Sequence, residues 1–353
     1  MPFFHRDSPE ERQRKEEAKA LERQREEEAK ALEQQRKEQA QALVRQEADI
    51  QARSLQALAA GGIPVRAQER VAQYRSGQPG TIPFSSDLSV NEFLLTRKAG
   101  YEPMGLVTGS SVFHIGWNRW NLTGEMEAQT RAQHDAAMAA LGRMRQEALG
   151  MGASGVVGTR LEIKTQGWSE DLVEVIAIGT AIRVPGSPPP AEPFLSDFTA
   201  QEFVALLQAG GRPAGIVIGN CTYYIYTNWG DAWTNDSWYN QEHDKYTRSL
   251  HAAQSQAFNR MHSQAKHMGA HGIVGVHIVR HLREIPYVDS DGDEEEERSD
   301  YILSYLSWGT AILQAPGGAR PYPPTAVVDL NEARQPITSL KVGAPAEKKG
   351  DRE

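Results

Sequence analysis

Polar residues dominate the first sixty positions, and a thin apolar stripe runs through them at a fixed interval. EEAKALERQRE, EEAKALEQQRK and EQAQALVRQEA repeat every 11 residues, with Ala18, Ala29 and Ala40 in one register and Leu21, Leu32 and Leu43 in another. Eleven residues complete three helical turns, so the stripe stays on one side with little supercoil, or a slightly right-handed one. Glu10–Arg14, Glu11–Lys15, Glu26–Lys30 and Glu33–Lys37 are i,i+4 pairs of favourable sense, each worth roughly 0.2–0.5 kcal/mol. The pattern predicts one long polar helix over residues 8–60, stopped at Gly61, Gly62 and Pro64. Three roles stay open for it: a solvated single helix, a coiled-coil bundle joining chains through the Ala/Leu stripe, or a membrane-surface helix. The narrow apolar face, without large aromatics, weighs against the last.

Beyond the helix the pattern is written twice. PFSSDLSVNEFLLTRKAGYEPMGLVTG at 83–109 returns without a gap as PFLSDFTAQEFVALLQAGGRPAGIVIG at 193–219. MGASGVVG at 151–158 returns as MGAHGIVG at 268–275, and GTAI closes both copies at 179–182 and 309–312. Ser89 with Glu92, and Thr199 with Glu202, are capping boxes that each open a short helix. Phe93 and Phe203 follow as first core contacts. An apolar strand comes next, then a long helix. Its shared face is Ala140, Leu141, Met144, Ala148 and Met151, matched by Ala257, Phe258, Met261, Ala265 and Met268. Gly152 and Gly269 stand where a left-handed C-cap belongs. A strand, a hairpin and a last strand complete the unit. The expected class is α+β: two tandem two-layer α/β domains, each a long helix on an antiparallel sheet, preceded by the long polar helix. The segments are a charged helix at 1–62, a linker at 63–82 with a short helical stretch at 67–75, and repeat one at 83–185. A Pro-rich linker at 186–192, repeat two at 193–314 and a disordered tail at 315–353 follow.

Composition changes the picture in three places. The net charge is −8, but the acids at 289–300 account for nearly all of it. What remains carries no basic stripe, so nucleic acid is not an expected partner. The single Cys221 rules out an internal disulfide. No apolar run approaches the ~18 residues of a membrane span, and the start lacks an apolar stretch of signal-peptide length. Together these point to a cytoplasmic protein without membrane contact.

The strand ending in VTG at 107–109 (VIG at 217–219), the Ala-rich helix running into GASGVVG and GAHGIVG, and the terminal GTA resemble the YbjQ-like family (UPF0145), labelled heavy-metal-binding domains. The resemblance covers about 105–184 and 215–313. It implies a small α/β unit that forms homo-oligomeric rings of fivefold symmetry, and it does not imply an enzyme. The chain departs from the family at Ser154 and His271, where an acidic residue is usual after GA, and in the loops at 118–124 and 228–240. Fivefold symmetry constrains a duplicated chain, because five is odd. Either five chains build two stacked rings, the favoured arrangement, or a ring holds an even number of repeats.

Candidate chemistry gathers in repeat two. His267, His271, His277 and His281 are the candidate metal ligands for a possible divalent ion. His267 and His271 straddle the helix end at Gly269, and His277 and His281 lie ~13 Å apart along one strand face, too far to share an ion directly. His134 and His251 are the only histidine pair common to both repeats. Arg131 and Arg248 stand three residues before them, Arg143 and Arg260 nine after, so packing or oligomer contacts are the expectation. Trp229, Trp233, Trp238 and Tyr239 form an aromatic loop suited to binding a protein partner. Asp289, Asp291, Asp293 and Glu294 make an acidic hairpin tip that attracts cations but lacks calcium-loop spacing. Cys221 aligns with Ser111 as a small core residue. The expected function is a non-enzymatic, ring-forming homo-oligomeric assembly or binding protein, its N-terminal helices bundling or recruiting a partner. The alternative is a metal- or small-ligand sensor on the same ring.

Overall fold

The computed structural model describes residues 9–76, 83–114, 123–165, 172–227, 244–289 and 296–314. The chain divides into two units, residues 1–83 and 84–353. The aromatic loop residues Trp229, Trp233, Trp238 and Tyr239, the acidic residues Asp291, Asp293 and Glu294, and the tail lie outside the described residues.

The first unit is a helical hairpin. α1 (Pro9–Ala59) is the long polar helix, and Glu33 pairs with Lys37 at 2.6 Å as the i,i+4 spacing requires. Gly61, at φ 78°, turns the chain. α2 (Val65–Ser76) then runs back along the end of α1. Arg66 pairs with Glu47 at 2.6 Å, the Val65 amide donates to Ser54 Oγ, and Val65 and Val71 are buried. The segment read as a linker with a short helix is thus a packed helix of its own. Leu32, Leu43 and Leu55 stay exposed along α1.

The second unit carries the duplication. Repeat one contributes α3 (Val90–Lys98), β1 (Glu102–His114), β2 (Gly124–Glu125), α4 (Glu127–Met151), β3 (Gly155–Thr165) and β4 (Leu172–Arg183). Repeat two contributes β5 (Phe194–Leu195), α5 (Ala200–Gln208), β6 (Gly211–Ile225), α6 (Asp244–His267), β7 (Gly272–Asp289) and β8 (Glu296–Gln314). Both capping boxes form, Ser89 with Glu92 and Thr199 with Glu202. Gly152 caps α4 in the left-handed region at φ 80°.

Each repeat is a long helix on an antiparallel core of three strands, with the last strand in the middle: β1-β4-β3 and β6-β8-β7. The helices sit close because their inner faces are small. Ala136, Ala140, Met144 and Ala148 of α4 are buried, as are Ala253, Ala257, Met261 and Ala265 of α6. The glycines of VTG and VIG mark the point of contact. A Cβ on Gly109 would lie 2.0 Å from the Ala140 carbonyl oxygen, and one on Gly219 would lie 1.8 Å from that of Ala257. The strand amides beneath are satisfied from the helix: Thr108 N–H donates to Glu147 and Ile218 N–H to Gln264. The VVG and IVG motifs are bulges. The register shifts between Val157 and Arg160 and between Val274 and His277.

Two short strands cross between the repeats. β2 precedes the helix of repeat one but pairs with β6 of repeat two. β5 opens repeat two but runs parallel to β3 of repeat one.

Candidate assembly junction

The junction between the repeats is built from both ends. On one side, β5 lies along the bulge of β3. Ser196 N–H donates to the Val156 carbonyl, Thr159 N–H to Ser196 and Gly158 N–H to Phe198, all at 2.8–2.9 Å. The Phe194 ring covers Gly155 so closely that a Cβ there would fall 2.3 Å from it. Phe194 stacks on Phe203, which meets Tyr101 edge-on at 5.1 Å. Val157 and Ile182 of repeat one and Phe198, Phe203 and Val204 of repeat two form one buried cluster. Arg145 reaches Glu192 at 3.7 Å.

On the other side, β2 and the first turns of α4 close the free edge of β6. Met126 is buried with Tyr224 and Ile302. Its amide donates to the Thr222 carbonyl, Thr222 N–H donates to Thr130 Oγ1, and Asn220 donates to the Thr130 carbonyl. Arg260 clamps the seam, with one guanidinium nitrogen 2.6 Å from Glu125 and the other 2.7 Å from the Asn220 carbonyl. Beside it a cavity of about 400 Å³ is lined by Thr130, Arg131 and His134 of repeat one and Asn220, Arg260 and Gln264 of repeat two. The cavity gathers His134 with Arg131 of its own helix and Arg260 of repeat two. Burial holds His134 below its ordinary pKa, and the Arg260 charge adds to this against the opposing pull of Asp135.

Several surfaces used in this junction have described counterparts left open elsewhere on the unit. Ala200 and Val204 of α5 are buried, whereas Val90 and Leu94 of α3 are 76% and 57% exposed. Thr222 on β6 is buried, and its partner position Val112 on β1 is 61% exposed. Val157, Thr159 and Leu161 on β3 are buried, while Val274, Val276 and Ile278 on β7 are exposed. The same asymmetry explains why Phe203 is buried but Phe93 only partly so, and why Met151 is buried but Met268 exposed. Between α6 and β7 lies a cavity of about 610 Å³, lined by Met261, His262, Lys266, His271, Gly272 and Val276.

The candidate metal ligands do not converge. His267 ends α6, with its ring nitrogen 2.6 Å from the Ser263 carbonyl. His271 accepts from the Gln314 amide, just as Ser154 accepts from Val184 at the same repeat position. His277 stacks on Trp308 and pairs with Asp197 at 3.4 Å, and His281 lies exposed on β7. Among the described residues no group of three His, Cys, Asp or Glu is placed to hold an ion. Asp289 ends β7. Cys221 is buried, and burial pushes its thiol up to about 12.

Asp197 is the group that residue patterns missed. It stands at the position of Asp87, and its partner His277 stands at the position of Arg160, which holds Asp87 at 2.8 Å. Laying one repeat over the other exposes this exchange of an arginine for a histidine. The Asp197 carboxyl takes a hydrogen bond from Thr310, but burial raises its pKa from 3.8 to about 6. A raised acid pKa favours the folded chain in full below pH ~4, and that advantage is lost as pH climbs to ~6. The shift corresponds to about 3 kcal/mol. Asp197→Asn therefore gains stability over the parent above pH 6 and little at pH 4, read by urea unfolding at both values; equal gains at both would remove the assignment.

A family profile described as "Putative heavy-metal-binding" matches residues 104–185 and again 235–284. The encapsulin nanocompartment protein Rv1762c of Mycobacterium tuberculosis is 36% identical over 202 residues, 55% of this chain and 77% of that protein. A UPF0145 protein of Helicobacter hepaticus is 34% identical over 91 residues, 24% of this chain and 86% of that protein. The chain belongs to the YbjQ-like, UPF0145 family. Its domain is present twice, and both matches fall on the helix-and-sheet repeats described above. A UPF0145 protein of Lactococcus lactis subsp. cremoris is 34% identical over 61 residues, 17% of this chain and 54% of that protein. No solved structure gives a significant match. Within the YbjQ-like repeats, the family glycines are the points where helix meets strand and where β3 and β7 bulge. No helix of the described structure is long and apolar enough to cross a membrane.

Proposed function

We propose that this chain is a non-enzymatic assembly protein whose YbjQ-like repeats join head to tail into a closed ring. One observation carries the reading: the surfaces that bury each other at the junction inside the chain are left exposed at its two outer ends. Repeat two keeps an open β7 edge where repeat one is covered, and repeat one keeps an open α3 and β1 edge where repeat two is covered. Joining unlike surfaces in this way yields rings when the rotation closes. It makes the two repeats neighbours in one ring, which favours an even number of repeats over two stacked rings of five.

The similarity to a protein named for a nanocompartment supports assembly rather than turnover. So does the chemistry of the most reactive side-chain type, since Cys221 is buried with its thiol pushed up to about 12. The exposed Leu32, Leu43 and Leu55 give the N-terminal helices an apolar stripe, and gathering several chains would let these helices bundle or recruit a helical partner.

Mass in solution tests this directly. Light scattering of the full chain at micromolar concentration is expected to give a particle several times the 39.1 kDa of one chain. A mass that stays at one chain across the concentration range would refute the assembly.

A further inference from the structure

We propose that Phe84 of a second copy of this chain plugs the cavity over Gly272, adding residues 84–86 as a parallel strand along β7. This rests on the assembly reading and names its contact.

The template lies inside the chain. In repeat one, the ring of Phe194 occupies the place that corresponds to the cavity between α6 and β7, and Gly155 is glycine because the ring leaves no room for a Cβ. Gly272 occupies the position of Gly155 in repeat two. A Cβ there would meet nothing nearer than Ile312 Cγ1 at 3.9 Å, which is ordinary contact, and its backbone is not left-handed. Neither the local packing nor the backbone conformation requires glycine at 272. An incoming aromatic ring does.

The plug is equally exposed to view. Phe84 matches Phe194 in the repeat, is 50% exposed and meets Phe93 edge-on at 5.5 Å. β7 pairs with β8 and with no other strand among the described residues, so its outer edge is open. Along that edge Val274, Val276 and Ile278 are exposed. An unpaired apolar edge of this length is a template for an added strand. In the register of the internal junction, Ser86 N–H donates to the Ile273 carbonyl and Val276 N–H donates to Ser86, repeating the bonds between Ser196, Val156 and Thr159. Phe93, Val90 and Leu94 then cover β7 as α5 covers β3.

Two variants separate plug from seat. Phe84→Ala removes the plug and keeps the seat. Gly272→Val blocks the seat and keeps the plug. Each is expected to weaken association roughly thirtyfold or more, the scale of a lost aromatic anchor, with an unchanged circular dichroism spectrum. Mixed one to one, they are expected to form a two-chain particle that grows no further, because only one productive junction can form. Wild-type-sized particles from both variants would overturn the seat while leaving assembly standing; a single-chain wild type would overturn both. Should either variant misfold, Phe84→Cys combined with Gly272→Cys in a Cys221→Ser background decides the matter. An interchain disulfide ladder supports the seat, and its absence from an assembled wild-type-like particle rejects it.

Discussion

Gly219→Ala is expected to destabilise repeat two by roughly 3 kcal/mol or more, at the upper end of what overpacking costs. The added methyl would lie 1.8 Å from the Ala257 carbonyl oxygen and 3.1 Å from Met261 Cβ. Those are a backbone oxygen and a Cβ whose place the backbone of α6 sets, so no rotamer change relieves the clash. The helix must lift from the sheet as a body, and lifting it separates Met261 and Ala265 from Val217 and Ala311, and Ala257 from Cys221 and Leu303. Gly109→Ala repeats the experiment in the other copy, 2.0 Å from Ala140. Thermal or urea unfolding of the two variants should show comparable losses. A loss below about 0.5 kcal/mol, the scale of an ordinary surface substitution, would mean that helix and strand are not held this close.

Asp300→Ala is the second large effect, expected at about 3 kcal/mol from the donors it would strand. The Asp300 carboxylate is fully buried in β8. It accepts from the Tyr224 hydroxyl at 2.5 Å and the Thr227 amide at 2.9 Å, while the Thr227 hydroxyl, 3.1 Å away, donates to the Ser299 carbonyl at 2.5 Å. Tyr224 is itself fully buried and stands opposite Gly124 in the β2–β6 ladder. Removing the carboxylate therefore loosens the junction as well as the sheet. Asp300→Asn keeps an acceptor for Thr227 and should lose appreciably less. Denaturant titration that finds the two variants equal would show that volume, not hydrogen bonding, matters at this position.

Much of each repeat was legible because local chemistry and fold agree. The capping boxes at Ser89 and Thr199, the left-handed Gly152 and the alanine face of α4 each have one structural meaning, and each took it. The YbjQ-like resemblance rested on glycines whose reason became visible only in space, since 109 and 140 are far apart in sequence. The exchanged strands were not legible at all. β2 and β5 are two residues each, too short to show alternation, and their partners belong to the other repeat. For the same reason Phe93 and Phe203, equivalent on paper, differ in burial: the neighbour that covers one is inside the chain. His271 stands among the clustered histidines of repeat two as a candidate ligand, and its ring nitrogen also does the work of the Ser154 hydroxyl in bonding the end of the last strand. The Asp197–His277 pair needed a comparison across four segments, two from each repeat.

The strand exchange reaches into how the chain folds. Gly124 finds Tyr224, and Gly155 finds Phe194, only after the other repeat has been synthesised and brought alongside. Such distant pairings are slow to form, because the intervening loop must be closed before they yield any stability. Neither repeat reaches its final edge alone, so the two halves acquire their last native contacts together. Losing either half on unfolding strips an edge strand from the other. Duplication here produced one body in which each repeat completes the other's sheet, rather than two beads on a string.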